Sequence, residues 1–435
     1  MSFGKNQGTY LRIKEFMNIF SVNRSQIEAF LTYFALALFV VNSGSLYPIC
    51  SKRALPWFLA MFAVSFMLFL VRRKTRIPND FRILYLMVLA ILLLIHRSMF
   101  SVDSAIYYGL IVTLLSAYFL GIAADGDKIQ SAYINIAFFL ALTSFTEWFL
   151  HFIHFIPLET FRIFPDLIVK RTGTHYYNYL FLVVDQYMMA ERAIPRNPSI
   201  FWEGGVFQIF LNLALIMNIS NVKKLITFKN VILFLALLST FSTTGYFIFV
   251  LILFGYLKDV RKQRGAKIAF LIPIMVTVFF IVTSDVVVNK ITFQSSSFTT
   301  RIADDLCDVQ TFLGHPLWGC GVGNIDYKSF PFAGVGSSGL TSKFAEFGLF
   351  LALFYLIPAY FFKTRYSGII WAAILTLMLQ TEDMSLKPLY VMLILIDKNA
   401  LLTHPIGFKI RSFQKHPGNR TDVLTNAATT KGYFE

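Results

Sequence analysis

The sequence predicts an all-α protein, a polytopic bundle of about 12 membrane-spanning helices. Three observations carry that expectation. Of 435 residues, 56 % are hydrophobic and only 14 % charged, against roughly 45–50 % and ~25 % in soluble domains. Mean hydropathy is +0.61. Apolar runs recur at the length a bilayer crossing needs, about 20 residues with a range of ~17–25. This composition excludes a disordered chain and a coiled coil. The three cysteines, Cys50, Cys307 and Cys320, make no disulfide framework.

In chain order the candidate spans are 28–45, 55–71, 82–96, 105–123, 131–156, 200–219, 226–241, 244–257, 268–284, 342–362, 367–380 and 388–401. The seventh, eighth and eleventh are short, so they cross with little tilt or re-enter. The whole chain, 1–435, reads as one integral membrane domain with a polar tail at 402–435. Its first 27 residues hold Lys5, Arg12, Lys14 and Arg24 but no apolar core ending in a small-residue site, so no cleavable leader is expected.

The net charge of +15 would suit nucleic acid, but the basic residues sit between apolar runs. With the N-terminus in the cytoplasm, 26 of the 39 Lys and Arg fall on cytoplasmic segments. Dense clusters are Arg72-Arg73-Lys74 and Arg261-Lys262-Gln263-Arg264. That bias sets orientation: both termini inside, and no nucleic-acid partner. The 48 Phe and 20 Tyr are lipid-facing and packing surface.

Two outside segments are long, 157–199 and 285–341, and long loops on a compact scaffold carry function. They hold Arg162, Lys170, Arg171, Arg192 and Arg196, then Lys290, Arg301 and Lys328, against the orientation rule. An anionic ligand at the outer face would explain them. Salt bridges to Asp166, Asp185, Glu191, Asp304, Asp305 and Asp308 would explain them equally.

Within the first loop, Pro195 and Pro198 disfavour helix before the sixth span. Arg196 then stands at the outer mouth, and Glu203 lies about one turn inside the span. An ionisable residue at that depth is a functional candidate by default. A structural pairing with Arg192 or Arg196 is the alternative. The second loop carries Arg301-Ile-Ala-Asp304-Asp305, then Gly314-His315-Pro-Leu-Trp-Gly319-Cys-Gly321-Val-Gly323-Asn324. The last is no dinucleotide fingerprint, because Asn324 occupies the third glycine position. His315 is a candidate general base or a turn residue before Pro316. Glu147, His151 and His154 share one helical face, better read as interfacial residues than as metal ligands. Glu382 and Asp383 end the eleventh span, and Ser242-Thr243-Thr244-Gly245 forms a tight turn. With no P-loop, zinc signature or nucleophile elbow, neither metal nor cofactor is expected.

These segments resemble the O-antigen polymerase and ligase superfamily of bacterial envelope enzymes. The resemblance covers roughly residues 190–350. It rests on Arg196-x-x-Ser-Ile-Phe-Trp-Glu-Gly-Gly-Val-Phe-Gln, Ser239-Thr-Phe-Ser-Thr-Thr-Gly245, Ser297-Phe-Thr-Thr-Arg301, His315-Pro-Leu-Trp-Gly-x-Gly and Phe344-Ala-Glu346-Phe-Gly348-Leu. Ligases of the family place a His where counting back from Gly348 finds Ser337, so the resemblance favours the polymerase branch. The polymerase pattern R-x10-G is not met: Arg192 to Gly204 is one residue longer, and Arg301 meets Phe312.

The resemblance implies a GT-C-like glycosyltransferase in the bacterial inner membrane, with its site on the periplasmic face. It would join undecaprenyl-diphosphate-linked repeat units, possessing a donor, an acceptor, membrane lipid and a chain-length regulator as partners. Arg196, Arg301, Glu203 and His315 are then the expected catalytic residues. Arg192, Asn324, Tyr327, Lys328 and Glu382 are expected to bind substrate. O-antigen ligase and a lipid-linked oligosaccharide flippase are the competing readings.

Overall fold

The computed structural model describes residues 7–50, 54–72, 81–100, 104–153, 155, 167–169, 174–185, 196–259, 296–333, 339–361 and 368–396. Among them the helices are α1 (Gln7–Asn42), α2 (Leu46–Cys50), α3 (Leu55–Arg72), α4 (Phe81–Met99), α5 (Ser104–Ala123) and α6 (Gly126–Phe152). They continue with α7 (Gly204–Val222), α8 (Phe228–Ser239), α9 (Thr243–Asp259), α10 (Ser296–Gly314), α11 (Thr341–Tyr360), α12 (Gly368–Thr381) and α13 (Pro388–Ile396). Eleven of the twelve expected spans contain one of these helices. The ninth, 268–284, lies outside the described residues, as does the tail at 402–435. Among the described residues seven helices are long and apolar enough to cross a membrane: α1 from Arg24 on, α3 to α7, and α11.

The long helix α7 is the axis of the bundle. It packs on α6, α8 and α9, and every residue from Val206 to Met217 is buried. An apolar medium supplies no hydrogen bonds, so its polar residues must find partners on other helices. Asn212 Nδ2 donates to Gln208 Oε1 (3.0 Å) and to the Gly245 carbonyl of α9 (3.1 Å). Asn218 Nδ2 donates to Asn230 Oδ1 of α8 (2.7 Å). A Cβ on Gly245 would stand 2.8 Å from the Gln208 Cβ, so this glycine lets α7 and α9 close together.

One expectation is extended. The first long loop contains a three-stranded antiparallel sheet, β1 (Leu167–Val169), β2 (Thr174–Asn178) and β3 (Val183–Asp185), in the order β1-β2-β3. Its Tyr176 and Val183 pack with Leu46 of α2. The 196–203 segment is tied to the edge of the sheet by one bond, from Val183 N–H to the Ser199 carbonyl (2.8 Å). The ends of α1, α6, α8 and α12 and the start of α7 and α13 gather beneath it, at the sheet end of the bundle. Leu46 N–H reaches the Ile200 carbonyl (3.0 Å), Asn197 N–H the Ser239 carbonyl (2.9 Å), and Leu389 N–H the Ser43 hydroxyl (2.7 Å).

The glycine-rich stretch after α10 has a structural task. α11 is interrupted at Gly348, whose φ of 69° and ψ of 179° are open in practice to glycine alone. Loop 316–321 fills the interruption. Cys320 N–H donates to the Ala345 carbonyl (2.9 Å), Gly321 N–H to the Glu346 carbonyl (3.0 Å), and Leu349 N–H to the Pro316 carbonyl (2.8 Å). His96 of α4 closes the seam with Nε2 2.7 Å from the Trp318 carbonyl and Nδ1 2.8 Å from the Tyr107 hydroxyl. A Cβ on Gly319 would collide with the Glu346 carbonyl, and one on Gly348 with the Leu317 carbonyl.

Gly348→Ala and Gly319→Ala each add a clash to a backbone strain of about 1–3 kcal/mol. Both variants are expected to lose more than about 2 kcal/mol of stability. Thermal unfolding in detergent measures it, with Gly314→Ala as control, since open space surrounds Gly314.

Candidate functional site

Four chain segments converge at the sheet end. The first is the approach to α7. Asn197 Oδ1 accepts from Ser199 N–H (2.9 Å), while its Nδ2 donates to Ser239 Oγ (2.9 Å) and Ser144 Oγ (3.3 Å). With Pro198, these bonds hold the chain out of helix until Gly204. Glu203 is therefore extended (φ −157°, ψ 162°) and stands immediately before α7. This corrects the expectation that it lies a turn inside a span. Its carboxylate does not cap the helix. It meets Glu382 instead.

The second segment is the turn after α12. Met384 N–H donates to the Glu382 carbonyl (2.7 Å), and Gly339 N–H to the Leu379 carbonyl (3.0 Å). These bonds turn the Glu382 carboxylate toward α7, where a side chain at Gly205 would collide with it. Burial, and then the neighbouring Glu203, raise the pKa of Glu382 well above the carboxylate range, and Arg301 opposes them. Glu382 therefore favours its protonated form beside the Glu203 carboxylate.

The third segment is α10. Arg301, Asp304, Asp305 and Asp308 fall at i, i+3, i+4 and i+7, a single helical face. Arg301 Nη1 donates to the Thr381 carbonyl (2.8 Å), and its Nη2 pairs with Glu382 Oε1 (3.2 Å). Its side chain remains 35 % exposed, against 7 % for Glu382. The guanidinium is thus anchored on one edge and open on the other. The aspartates below it dock α10 on its neighbours. Gln380 Nε2 and Thr341 Oγ1 donate to Asp305 Oδ1 (2.9 and 3.1 Å). Tyr327 OH and Thr341 Oγ1 donate to the two oxygens of Asp308 (both 2.7 Å).

The fourth segment is the first turn of α11. Lys343 Nζ is shared between Glu346 Oε2 and Asp383 Oδ1 (3.4 Å), and Gly323 N–H donates to Glu346 Oε1 (2.8 Å). The ion chain joins the glycine loop to the Glu382 turn.

Of the residues expected from sequence, Arg301, Glu203 and Glu382 come together. Arg196 is half-buried at the start of the 196–203 segment, beside Ser239 and within electrostatic reach of Tyr246, on the α8–α9 side. His315 does not join them. It is exposed just past α10, fourteen residues from Arg301 and so about 21 Å along the axis. Asn324 shapes the glycine loop, its Nδ2 donating to the Cys320 carbonyl (3.0 Å). Tyr327 is committed to Asp308, and Lys328 is exposed on the short 3-10 turn Tyr327–Ser329. Arg192, His154 and Ser337 lie outside the described residues. Glu147 accepts from Phe181 N–H (3.3 Å). Among the described residues no group of three His, Cys, Asp or Glu is placed to hold a metal.

Sequence reasoning missed Lys343 and Lys387, and it named Asp383 only as a carboxylate ending the eleventh span. The signal for Lys343 and Glu346 was present, as two ionisable residues at the edge of an apolar run. Lys387 sits over the Trp202 ring, 5.5 Å from its centroid. Comparison with protein-family models, with curated proteins and with solved structures finds no match.

Asp308 is held near pKa 6, chiefly by burial, with Asp305 adding to the rise and the Thr341 and Tyr327 hydrogen bonds opposing it. The native state therefore keeps a proton that the unfolded chain releases, and this site loses stability as pH climbs from about 4 to 6. Asp308→Asn removes that loss. The difference in melting temperature, variant minus wild type, is expected to rise between pH 4.5 and 7. A flat or falling difference in detergent melts would contradict it.

Proposed function

We propose that the chain is an O-antigen polymerase, a glycosyltransferase that joins undecaprenyl-diphosphate-linked repeat units at the periplasmic face of the inner membrane. The observation that carries the reading is the meeting of Arg301, Glu203 and Glu382 beneath the sheet. The sequence resemblance and the basic-residue bias that assigns this end to the outside support it as well. Donor, acceptor and surrounding lipid are the partners, and a chain-length regulator completes the expected set.

The chemistry follows from the three side chains. The acceptor hydroxyl attacks the anomeric carbon of the donor, and the bond from that carbon to the diphosphate oxygen breaks. Negative charge grows on the leaving diphosphate. Arg301 offers it the open edge of a permanently charged, planar donor, in a setting where such pairing is stronger than in water. The hydroxyl proton passes to the Glu203 carboxylate beside Glu382. Arg196 stands apart from them, on the α8–α9 side. His315 is too far along α10 to share the reacting atoms with Arg301, so Glu203 replaces it as base.

A second reading has one observation in its favour. The broken helix α11, with Lys343 and Glu346 beside the break, is a device of lipid and solute transporters. A flippase would use it as the moving element. Ser337 in place of the ligase histidine argues against the ligase branch.

Lipopolysaccharide from a deletion strain complemented with variants separates these readings on a silver-stained gel. Arg301→Ala and Glu382→Gln are each expected to lose the ladder, a drop of at least about 10²-fold in polymer for a lost charge-stabilising donor. The core-plus-one-repeat band should persist. An intact ladder in both variants would remove the proposed site. Loss of every O-antigen band in the deletion strain would favour ligase or flippase.

A further inference from the structure

Helix α10 is amphipathic, and its two faces are turned the wrong way for water. Ile302, Leu306, Val309 and Leu313 recur at i, i+4, i+7 and i+11, within about 60° of the helix surface at 3.6 residues per turn. All four are exposed, Leu306 at 53 % and Leu313 at 70 %. Asp304 and Asp308, on the opposite face, are 0 % exposed. A helix on a water-soluble surface buries its apolar stripe and solvates its charges. Here the carboxylates dock on the bundle and the stripe is outermost.

Hydrogen bonds fix the level of α10 against two helices apolar enough to cross a membrane, α4 and α11. Thr341 Oγ1, at the start of α11, donates to Asp305 and Asp308 (3.1 and 2.7 Å). Just past α10 the Pro316 carbonyl accepts from Leu349 N–H (2.8 Å). Leu349 is eight residues further along α11, about 12 Å of helix. The Trp318 carbonyl lies 2.7 Å from His96 Nε2, in the last turn of α4. The second half of α10 and the residues after it therefore run beside the first two turns of α11 and the end of α4. The exposed stripe continues there. Leu317 and Trp318 follow it, then Phe350 and Leu353 of α11 and Ile95 and Met99 of α4, all exposed. An apolar surface this extended marks an interaction site, and its continuity with the spans names lipid as the partner.

We propose that the Ile302–Leu313 face of α10, with Leu317 and Trp318, is a lipid-binding surface set in the membrane interface against the acyl chains of the surrounding bilayer. With four charged residues, α10 is not one of the helices apolar enough to cross. A helix of this make-up lies in the interface with its apolar face about 5–10 Å into the headgroup–acyl boundary. Trp318 suits that level, where indole rings collect. Arg301 stands one residue before Ile302 on the same helix, so lipid contact sets the depth at which its open edge is presented. The inference needs the membrane-embedded fold and not the polymerase reading, so each can fail without the other.

Ile302→Cys, Leu306→Cys, Val309→Cys and Leu313→Cys test it, each carrying a nitroxide in the full chain with Cys50→Ala, Cys307→Ala and Cys320→Ala. Power saturation is measured in nanodiscs of phosphatidylcholine and phosphatidylglycerol. Oxygen, which dissolves in hydrocarbon, is expected to relax all four labels more than a water-soluble nickel chelate does, at depths of about 5–10 Å below the lipid phosphates. Lys224→Cys, exposed after α7, is the water reference and should show the reverse. The wild-type chain gives a second measurement, which decides alone if the cysteine variants fail to fold. A phosphatidylcholine with a diazirine in its acyl chain, photolysed in the same nanodiscs and mapped by peptide mass spectrometry, should leave adducts within 302–318. Nickel access at the stripe equal to that at Lys224→Cys would mean a water-facing helix. Access for neither reagent would mean a covering protein, a second copy included. Either result, or no adducts within 302–318, would overturn the proposal.

Discussion

Inside this bundle a polar group has no water to fall back on, and every departure from plain helix depends on a partner supplied by the chain itself. The break in α11 is the clearest case. Gly348 cannot continue the helix, and the carbonyls and amides it frees would be ruinous in hydrocarbon. Loop 316–321 supplies the missing partners through backbone bonds to Ala345, Glu346 and Leu349. His96, Tyr107 and Glu346 then tie that loop to α4, α5 and α11. Removing one bond from this set strands a buried polar group, at about 1–3 kcal/mol each.

The same constraint places the site. Arg301 can sit beside buried Glu382 because the aspartates one and two turns along α10 are satisfied by Gln380, Thr341 and Tyr327. Lys343 pairs with both Glu346 and Asp383, which ties the turn carrying Glu382 to α11. The contact of Glu203 and Glu382 is the exception: two like groups pressed together, with one arginine between them and the outside. A carboxylate held far from its ordinary pKa by burial and a like neighbour is a candidate functional group.

The sheet is the part of the architecture that periodicity does not announce. Strands of three to five residues carry too little alternation to stand out beside runs of twenty apolar residues. They are held where Val183 of β3 bonds to Ser199 and packs on α2, contacts between residues apart in the chain.

By itself the sequence determined the helical, membrane-embedded class, the places of eleven helices among the described residues, and the two loops that bear the charged groups. Hydropathy is a sum over neighbours in the chain, so it is legible without a fold. It also named Arg301, Glu203 and Glu382, because an ionisable residue next to an apolar run is conspicuous. The tertiary structure alone decided that these three meet while His315 stands a helix length away. It turned the glycine motif from a candidate ligand loop into the plug of a broken helix, and it drew Lys343, Asp383 and Lys387 into the same region. Those outcomes depend on pairings across up to hundreds of residues, and no local pattern encodes which distant carbonyl or carboxylate a side chain will find.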